Sequence, residues 1–480
     1  MTLASSGEAH EDAAVGVSGL AAAIRERRIS PEDVIEEHLD RLSRRNAELN
    51  AVVAVRAEAA RREARLLAQR LAGGEAAGPL AGVPFTVKDI FATCDLPTTC
   101  GSRLMEDFRT TGDATAVARM RAAGAILIGK TNCPEFAVGV DTANELHGRT
   151  KNPLGPFTPG GSSGGESAAI AAGMAAFGIG SDYGGSIRWP AQCTGLVGLR
   201  PTIGRVPATG QLPTLADEEP FTPNARGFQG RIQVVGPLAP RVADVEAVLR
   251  ALAGPDGADS FAVPASLPSS ADVRLESVEL RWGVEVAGIG ATREVEDAVE
   301  RAVDRLGRAG VRIVRGLPGP LDEAGELYSR LRATDSMAEI RHLAQGRAHL
   351  LGDGTRRLLT ETEPVAEPLI VRLWARRDRL NSRLRQWLHG NRLLALPVAA
   401  VPPFDPTRPY PRLPGTASSE FDLLTASRVI SLFGLPAVSV PCGRAKDGAP
   451  LSVQLVAPAF REDLVLAAAR WLERVQRMED

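Results

Sequence analysis

The chain has 480 residues, 44% of them apolar and 4% aromatic, and its 56 basic and 58 acidic side chains leave a formal net charge of −2. That balance gives no electrostatic attraction to nucleic acid or to an anionic membrane, and no apolar run approaches the ~20 residues needed to span a bilayer. The five cysteines (Cys94, Cys100, Cys133, Cys193 and Cys442) are scattered without C-x-x-C spacing, which argues against a disulfide framework or a zinc site.

In chain order, residues 1–14 read as a polar, acidic tail without the apolar segment of a signal peptide, so a soluble, cytoplasmic protein is expected. Residues 15–73 read as helices. Ser30-Pro31-Glu32-Asp33 has the form of a helix start, with a serine cap and proline in the first turn. Val34, Ile35, His38, Leu39 and Leu42 then share one face, and a second amphipathic run covers Ala54 to Leu71. From about residue 79 short apolar runs alternate with helical ones. Ala81 to Asp89 reads as a strand ending in a charged pair, Thr115 to Ala123 as a helix, Ala125 to Gly129 as a strand, Glu166 to Met174 as a helix and Phe177 to Ser181 as a strand. Residues 208–232, rich in glycine and proline, read as a long surface loop. Val242 to Leu252 and Arg293 to Ala309 read as helices, with strands at Leu280 to Val284 and Val311 to Val314. Residues 320–392 are helical and arginine-rich; Leu393 to Pro402 and Ala437 to Pro441 read as strands, and Glu462 to Arg477 closes the chain as a helix. This alternation predicts an α/β fold with a large mixed, twisted sheet flanked by helices on both sides. One domain over 1–480 is the simplest organisation: N-terminal helices at 15–73, a catalytic core at about 79–252, a variable helical cover at about 320–392, and C-terminal strands and helix at 393–480.

Two glycine-rich loops carry the chemistry: Gly160-Gly-Ser-Ser-Gly-Gly165 and Asp182-Tyr-Gly-Gly-Ser-Ile-Arg188. Glycine lets a backbone turn sharply and aim its N–H groups inward, and serine supplies a hydroxyl nucleophile or relay. The first loop also imitates the G-x-S-x-G elbow of serine hydrolases. That elbow needs an apolar strand before it and a triad histidine after it. Residues 152–159 hold three prolines, and His342, His349 and His389 all lie in the arginine-rich helical region. With six histidines in the whole chain, His147 alone stands near the core, where a lone histidine is more often structural. A lysine held neutral by burial is an alternative base. Lys88 ends an apolar strand, with Asp89 beside it as a competing partner. The amides around Ser186 can form an oxyanion cradle.

Together with Gly82-Val-Pro-Phe-Thr-Val-Lys88-Asp89, these loops resemble the amidase signature family. The likeness extends to Thr98-Thr-Cys-Gly-Ser102, Gly129-Lys-Thr-Asn132, Gly198-Leu-Arg-Pro-Thr202, Gly236-Pro-Leu-Ala239 with Asp244, and Gly434-Leu-Pro-Ala437 with Gln454. The resemblance implies that Ser186 is the nucleophile and Ser162, after a cis peptide bond from Gly161, the relay. It implies Lys88 as neutral base, Tyr183, Gly184, Gly185 and Ser186 as the oxyanion hole, and Ser163, Asp182 and Arg188 as supporting residues. It also implies no metal or cofactor. Ser431 and Ser452 depart from the Asn and Gly usual in the family and are expected to alter pocket shape more than chemistry. Phe136 and Ala137 are candidate pocket walls by position. Tyr183 and Trp189 are bulky enough either to line the pocket or to pack in the core. The expected activity is cleavage of a small carboxamide, anilide or carbamate, with ester cleavage as a further outcome, by a monomer or homodimer. The alternative is a glutaminase component of a transamidation complex, resembling the glutamyl-tRNA amidotransferase A subunit.

Overall fold

Strands Pro84–Lys88, Ile126–Thr131 and Phe177–Asp182 are buried at every position, as parallel strands covered on both faces must be. They are part of an eleven-stranded mixed sheet in a computed structural model that describes residues 8–213, 227–335, 337–361, 365–413 and 420–479. Its strands are β1 (Val52–Val55), β2 (Pro84–Lys88), β3 (Ile126–Thr131), β4 (Phe177–Asp182), β5 (Val197–Arg200), β6 (Val234–Ala239), β7 (Glu279–Trp282), β8 (Arg312–Arg315), β9 (Arg392–Pro397), β10 (Ala437–Arg444) and β11 (Pro450–Val456). Their order across the sheet is β1-β3-β2-β4-β6-β5-β10-β11-β9-β7-β8. β3, β2 and β4 run parallel, as do β9, β7 and β8, while the strands between them pair antiparallel.

Successive residues of one strand point to opposite faces, and the core follows that rule. Leu393 and Ala395 of β9 join one apolar cluster with Val295, Val299 and Val303 of the helix Arg293–Arg308. Leu394 and Leu396 join another with Leu327, Leu331, Val429 and Ile430, from the helices Ala324–Ala333 and Thr425–Phe433. Helices therefore cover both faces, as expected. No helix among the described residues is long and apolar enough to cross a membrane.

The predicted helix start is present: Ser30 Oγ accepts the Glu32 N–H at 3.1 Å, with Pro31 opening the helix Pro31–Leu49. Other elements differ from expectation. Residues 8–14 are helical and open the helix Glu8–Arg25, which is kinked at Gly16 (φ 68°), with residues 1–7 outside the described residues. The stretch 15–73 contains β1, so its last helix begins at Ala57 rather than Ala54. Of the loop expected at 208–232, residues 214–226 lie outside the described residues and Phe228–Ile232 is a short helix. The strand expected at Leu393 to Pro402 ends at Pro397.

Strands β5, β6 and β11 are additions to the predicted elements. β6 reads Val-Val-Gly-Pro-Leu-Ala, a turn-like sequence, because proline cannot donate to a ladder. The sheet tolerates it because β5 pairs only with Leu238 and Ala239, and Pro237 faces Ile179 of β4 on the other side.

Candidate active site

The parallel strands β2, β3 and β4 end at Lys88, Thr131 and Asp182, so one edge of the sheet collects their C-terminal residues, the end at which open α/β sheets build sites. Lys88 is fully buried. Its Nζ lies 2.6 Å from Ser162 Oγ and 3.0 Å from Ser181 Oγ. Burial lowers its pKa to about 8, outweighing the opposing fields of Cys133, Asp182 and Glu166. A neutral amine placed this way has a lone pair for the Ser162 hydroxyl proton and N–H groups for Ser181. Asp89, the neighbour expected to compete for Lys88, instead pairs with Lys130 at 2.9 Å. Glu166, below, accepts the hydroxyls of Thr86 and Thr131 at 2.6 and 2.7 Å, and burial pushes its carboxyl up to about 8.

Ser162 follows a cis peptide bond from Gly161. No side chain fits at Gly161, where a Cβ would lie 2.6 Å from the Gly139 carbonyl oxygen. The Ser163 N–H donates to the Ser186 carbonyl at 3.2 Å, which ties the first serine loop to the second.

The second loop is wrapped around one carboxylate. Asp182 Oδ1 accepts the Gly185 N–H at 2.9 Å and an Arg188 guanidinium N–H at 2.8 Å. Its Oδ2 accepts the Ile187 N–H at 3.2 Å and Arg188 Nε–H at 3.0 Å. Arg200 lies 3.4 Å from Oδ1 and donates to the Asp182 carbonyl at 2.6 Å. Burial alone would raise the Asp182 carboxyl, but the charge and hydrogen bonds of Arg188 override it and hold the group well below the usual carboxylate range. Ser186, half-buried, is left facing a cavity of about 590 Å³ with Ser162, Ser181, Tyr183 and Gly184. Among the described residues the amides of Tyr183, Gly184 and Ser186 make no backbone or side-chain hydrogen bond.

The amidase family matches residues 33–466. The chain belongs to the amidase signature family. The A subunit of the glutamyl-tRNA(Gln) amidotransferase of Synechococcus sp. (strain CC9605) is 33% identical, covering 94% of each chain. A bacterial aryl acylamidase of the amidase signature family superposes with a TM-score of 0.85 at 25% identity, covering 96% of each chain. A 6-aminohexanoate cyclic dimer hydrolase complexed with substrate superposes with a TM-score of 0.82 at 28% identity, covering 96% of this chain and 97% of that one. As an amidase signature enzyme, the protein acts on C–N bonds.

The structure brings Ser162, Ser186, Tyr183 and Gly184 together around one cavity, with Lys88 behind Ser162, and departs from expectation elsewhere. Gly185 does not offer its amide to the cavity, since that N–H is held by Asp182. Its φ of +115° and the 3.0 Å clearance between a Cβ there and Ser427 Cβ explain why glycine is needed. Trp189 is core: fully buried, it donates Nε1–H to the Val140 carbonyl at 2.8 Å and stacks on Phe404. Ala137 lines the cavity with Val138, Gly139 and Val140, but Phe136 turns away into a smaller neighbouring space. Ser431 does not shape the pocket; it accepts from Arg188 at 2.8 Å and so supports the Asp182 cluster. Ser452 is buried away from the cavity as well.

Sequence reasoning missed Ser181 as a Lys88 partner, although it precedes Asp182 at the strand end. The far wall is built from Gln229, Tyr328, Arg332, Asp335, Phe421 and Arg428; the first four fall in the loop and helical cover expected at 208–232 and 320–392, without having been singled out, and Phe421 and Arg428 fall outside both. These residues come from segments distant in the chain, where no local motif marks them.

Proposed function

We propose that the protein cleaves a carboxamide through an acyl-enzyme on Ser186. The observation that carries this reading is the 2.6 Å contact between a fully buried, pKa-lowered Lys88 and Ser162, at the edge of a cavity lined by Ser186. Ser186 Oγ attacks the carbonyl carbon while its proton passes to Ser162 Oγ and the Ser162 proton to Lys88 Nζ. The amides of Tyr183, Gly184 and Ser186 receive the negative charge that develops on the carbonyl oxygen. Collapse breaks the C–N bond, and the relay returns its proton to the departing amine. Water, deprotonated by the same relay, then hydrolyses the acyl ester and frees Ser186. Asp182 acts as a positioning residue, since its carboxylate fixes the turn on which Ser186 rides.

Assay of the purified chain with primary amides, aryl amides, carbamates and p-nitrophenyl esters tests the reading. Loss of turnover in Ser186→Ala supports it, and undiminished turnover removes it.

The sequence relatives favour a second reading, in which the same chemistry releases ammonia from glutamine inside an amidotransferase complex; the 33% identity over 94% of both chains supports it. Glutaminase activity that requires added partner proteins would select this reading. Hydrolysis of small amides by the chain alone would select the first.

A further inference from the structure

We propose that the amide substrate carries a carboxylate, received by the guanidinium groups of Arg428 and Arg332; this rests on the amide-cleaving reading above. Both arginines line the cavity that Ser186 faces. Arg428 lies against the oxyanion loop: a Cβ at Gly184 would be 3.1 Å from its Cγ and 3.6 Å from its Nε. Its guanidinium carbon stands 4.5 Å from the Phe421 ring centroid and 5.4 Å from that of Tyr328. The guanidinium carbon of Arg332 stands 4.3 Å from the same Phe421 centroid. Stacking on a ring occupies the face of a guanidinium and leaves its in-plane N–H donors for another partner.

No such partner stands among the described residues. Among the described residues neither Arg428 nor Arg332 makes an ion pair or a side-chain hydrogen bond. The fully buried Arg188 and Arg205 are matched, with Asp182 and Glu462 respectively, each at 2.8 Å. The carboxylates of the cavity form no ion pair with either arginine. Asp335 accepts the Met337 and Gln229 backbone N–H groups at 3.1 and 2.8 Å, and Asp422 also has a partner of its own. Burial, with the nearby Arg332, pushes Arg428 below its ordinary pKa against the opposing fields of Tyr328, Tyr183 and Asp422, so two cations share one wall with no carboxylate bonded to either guanidinium. A planar carboxylate matches the fork geometry of guanidinium donors. Because Arg428 adjoins Gly184, the carboxylate belongs a short chain away from the scissile carbonyl, on either its acyl or its amine side.

Paired substrates distinguish the two sides. Glutaric acid monoamide is compared with 5-methylhexanamide, and N-acetyl-β-alanine with N-isopentylacetamide; in each pair an isopropyl group replaces the carboxylate. The expected result is kcat/KM about 10- to 100-fold higher for the acid of one pair, with that ratio collapsing toward one in Arg428→Met and recovering in part in Arg428→Lys. Arg332→Met provides a second variant should Arg428→Met fail to fold. In Ser186→Ala, calorimetric titration should show the acid of that pair binding more tightly than its isostere. Equal rates and equal binding for acid and isostere in both pairs would overturn the proposal, as would a preference that survives loss of both arginines. Fluorophosphonate labelling of Ser186 reports the amide-cleaving reading separately. Labelling without carboxylate selectivity overturns the substrate inference alone, whereas absence of both labelling and turnover overturns the reading beneath it.

Discussion

Two pairs of arginines flank the serine loop, and they behave in opposite ways. Arg188 and Arg200 are fully buried, share Asp182 between them and reach the Asp182, Ser427 and Ile232 carbonyls. Arg332 and Arg428 are half-buried, stack on Phe421 and make no ion pair among the described residues. The first pair satisfies its charge inside the chain and so can only hold shape. The second leaves donors aimed at a cavity, which is what recognition of a ligand requires. A buried charge that is paired specifies structure, and one that is left unpaired beside a reactive group specifies a substrate.

The largest effect expected belongs to neither pair but to the serine between them. Ser186→Ala should lower kcat by at least about 10⁴-fold while leaving the unfolding midpoint in urea nearly unchanged. Lys88→Met should lower kcat by about 10²- to 10⁴-fold. In the unaltered protein kcat/KM should rise with pH and level off above about 8. The base works only when neutral, and its pKa of about 8 makes it protonated and inactive below that value.

The paired cluster comes next. Asp182→Ala strands two buried guanidiniums, so a loss of about 3–5 kcal/mol is expected, read as a drop in urea midpoint, and insoluble or unfolded protein is the extreme form of the same outcome. The unpaired cluster should cost least. Arg428→Met gives up its stacking on Phe421 and Tyr328, a stability change within about 1 kcal/mol, measured by thermal melting. Comparable destabilisation by Asp182→Ala and Arg428→Met would erase the contrast between the two pairs.

Much of this was legible in the chain. Lys88, Ser162 and Ser186 stand in loops whose glycines and serines mark them, and the strands that position them are apolar runs of ordinary length. Trp189 was ambiguous because a bulky residue beside a nucleophile reads the same whether it points into the cavity or, as here, into the core, and Phe136, expected on the pocket wall by position, turns away from the cavity. The Gly185 amide could not be assigned from sequence, since only the fold shows Asp182 taking it. β6 was hidden by Pro237, and β11 by the absence of any local signal beyond an apolar run. The arginine wall was out of reach for a different reason. Arg332 and Arg428 are 96 positions apart in the numbering, each in a helix that looks amphipathic and ordinary, and only packing on Phe421 makes them one site.

The central claim is a relay from Ser186 through Ser162 to a neutral Lys88. Its most direct test is the pH dependence of Ser186 phosphonylation by a fluorophosphonate, with the adduct located by peptide mass spectrometry. The account predicts a single adduct on Ser186, a rate that rises through a midpoint near pH 8, and loss of that rise in Lys88→Met. An adduct on Ser162 instead, or a rate independent of pH in the unaltered protein, would contradict it.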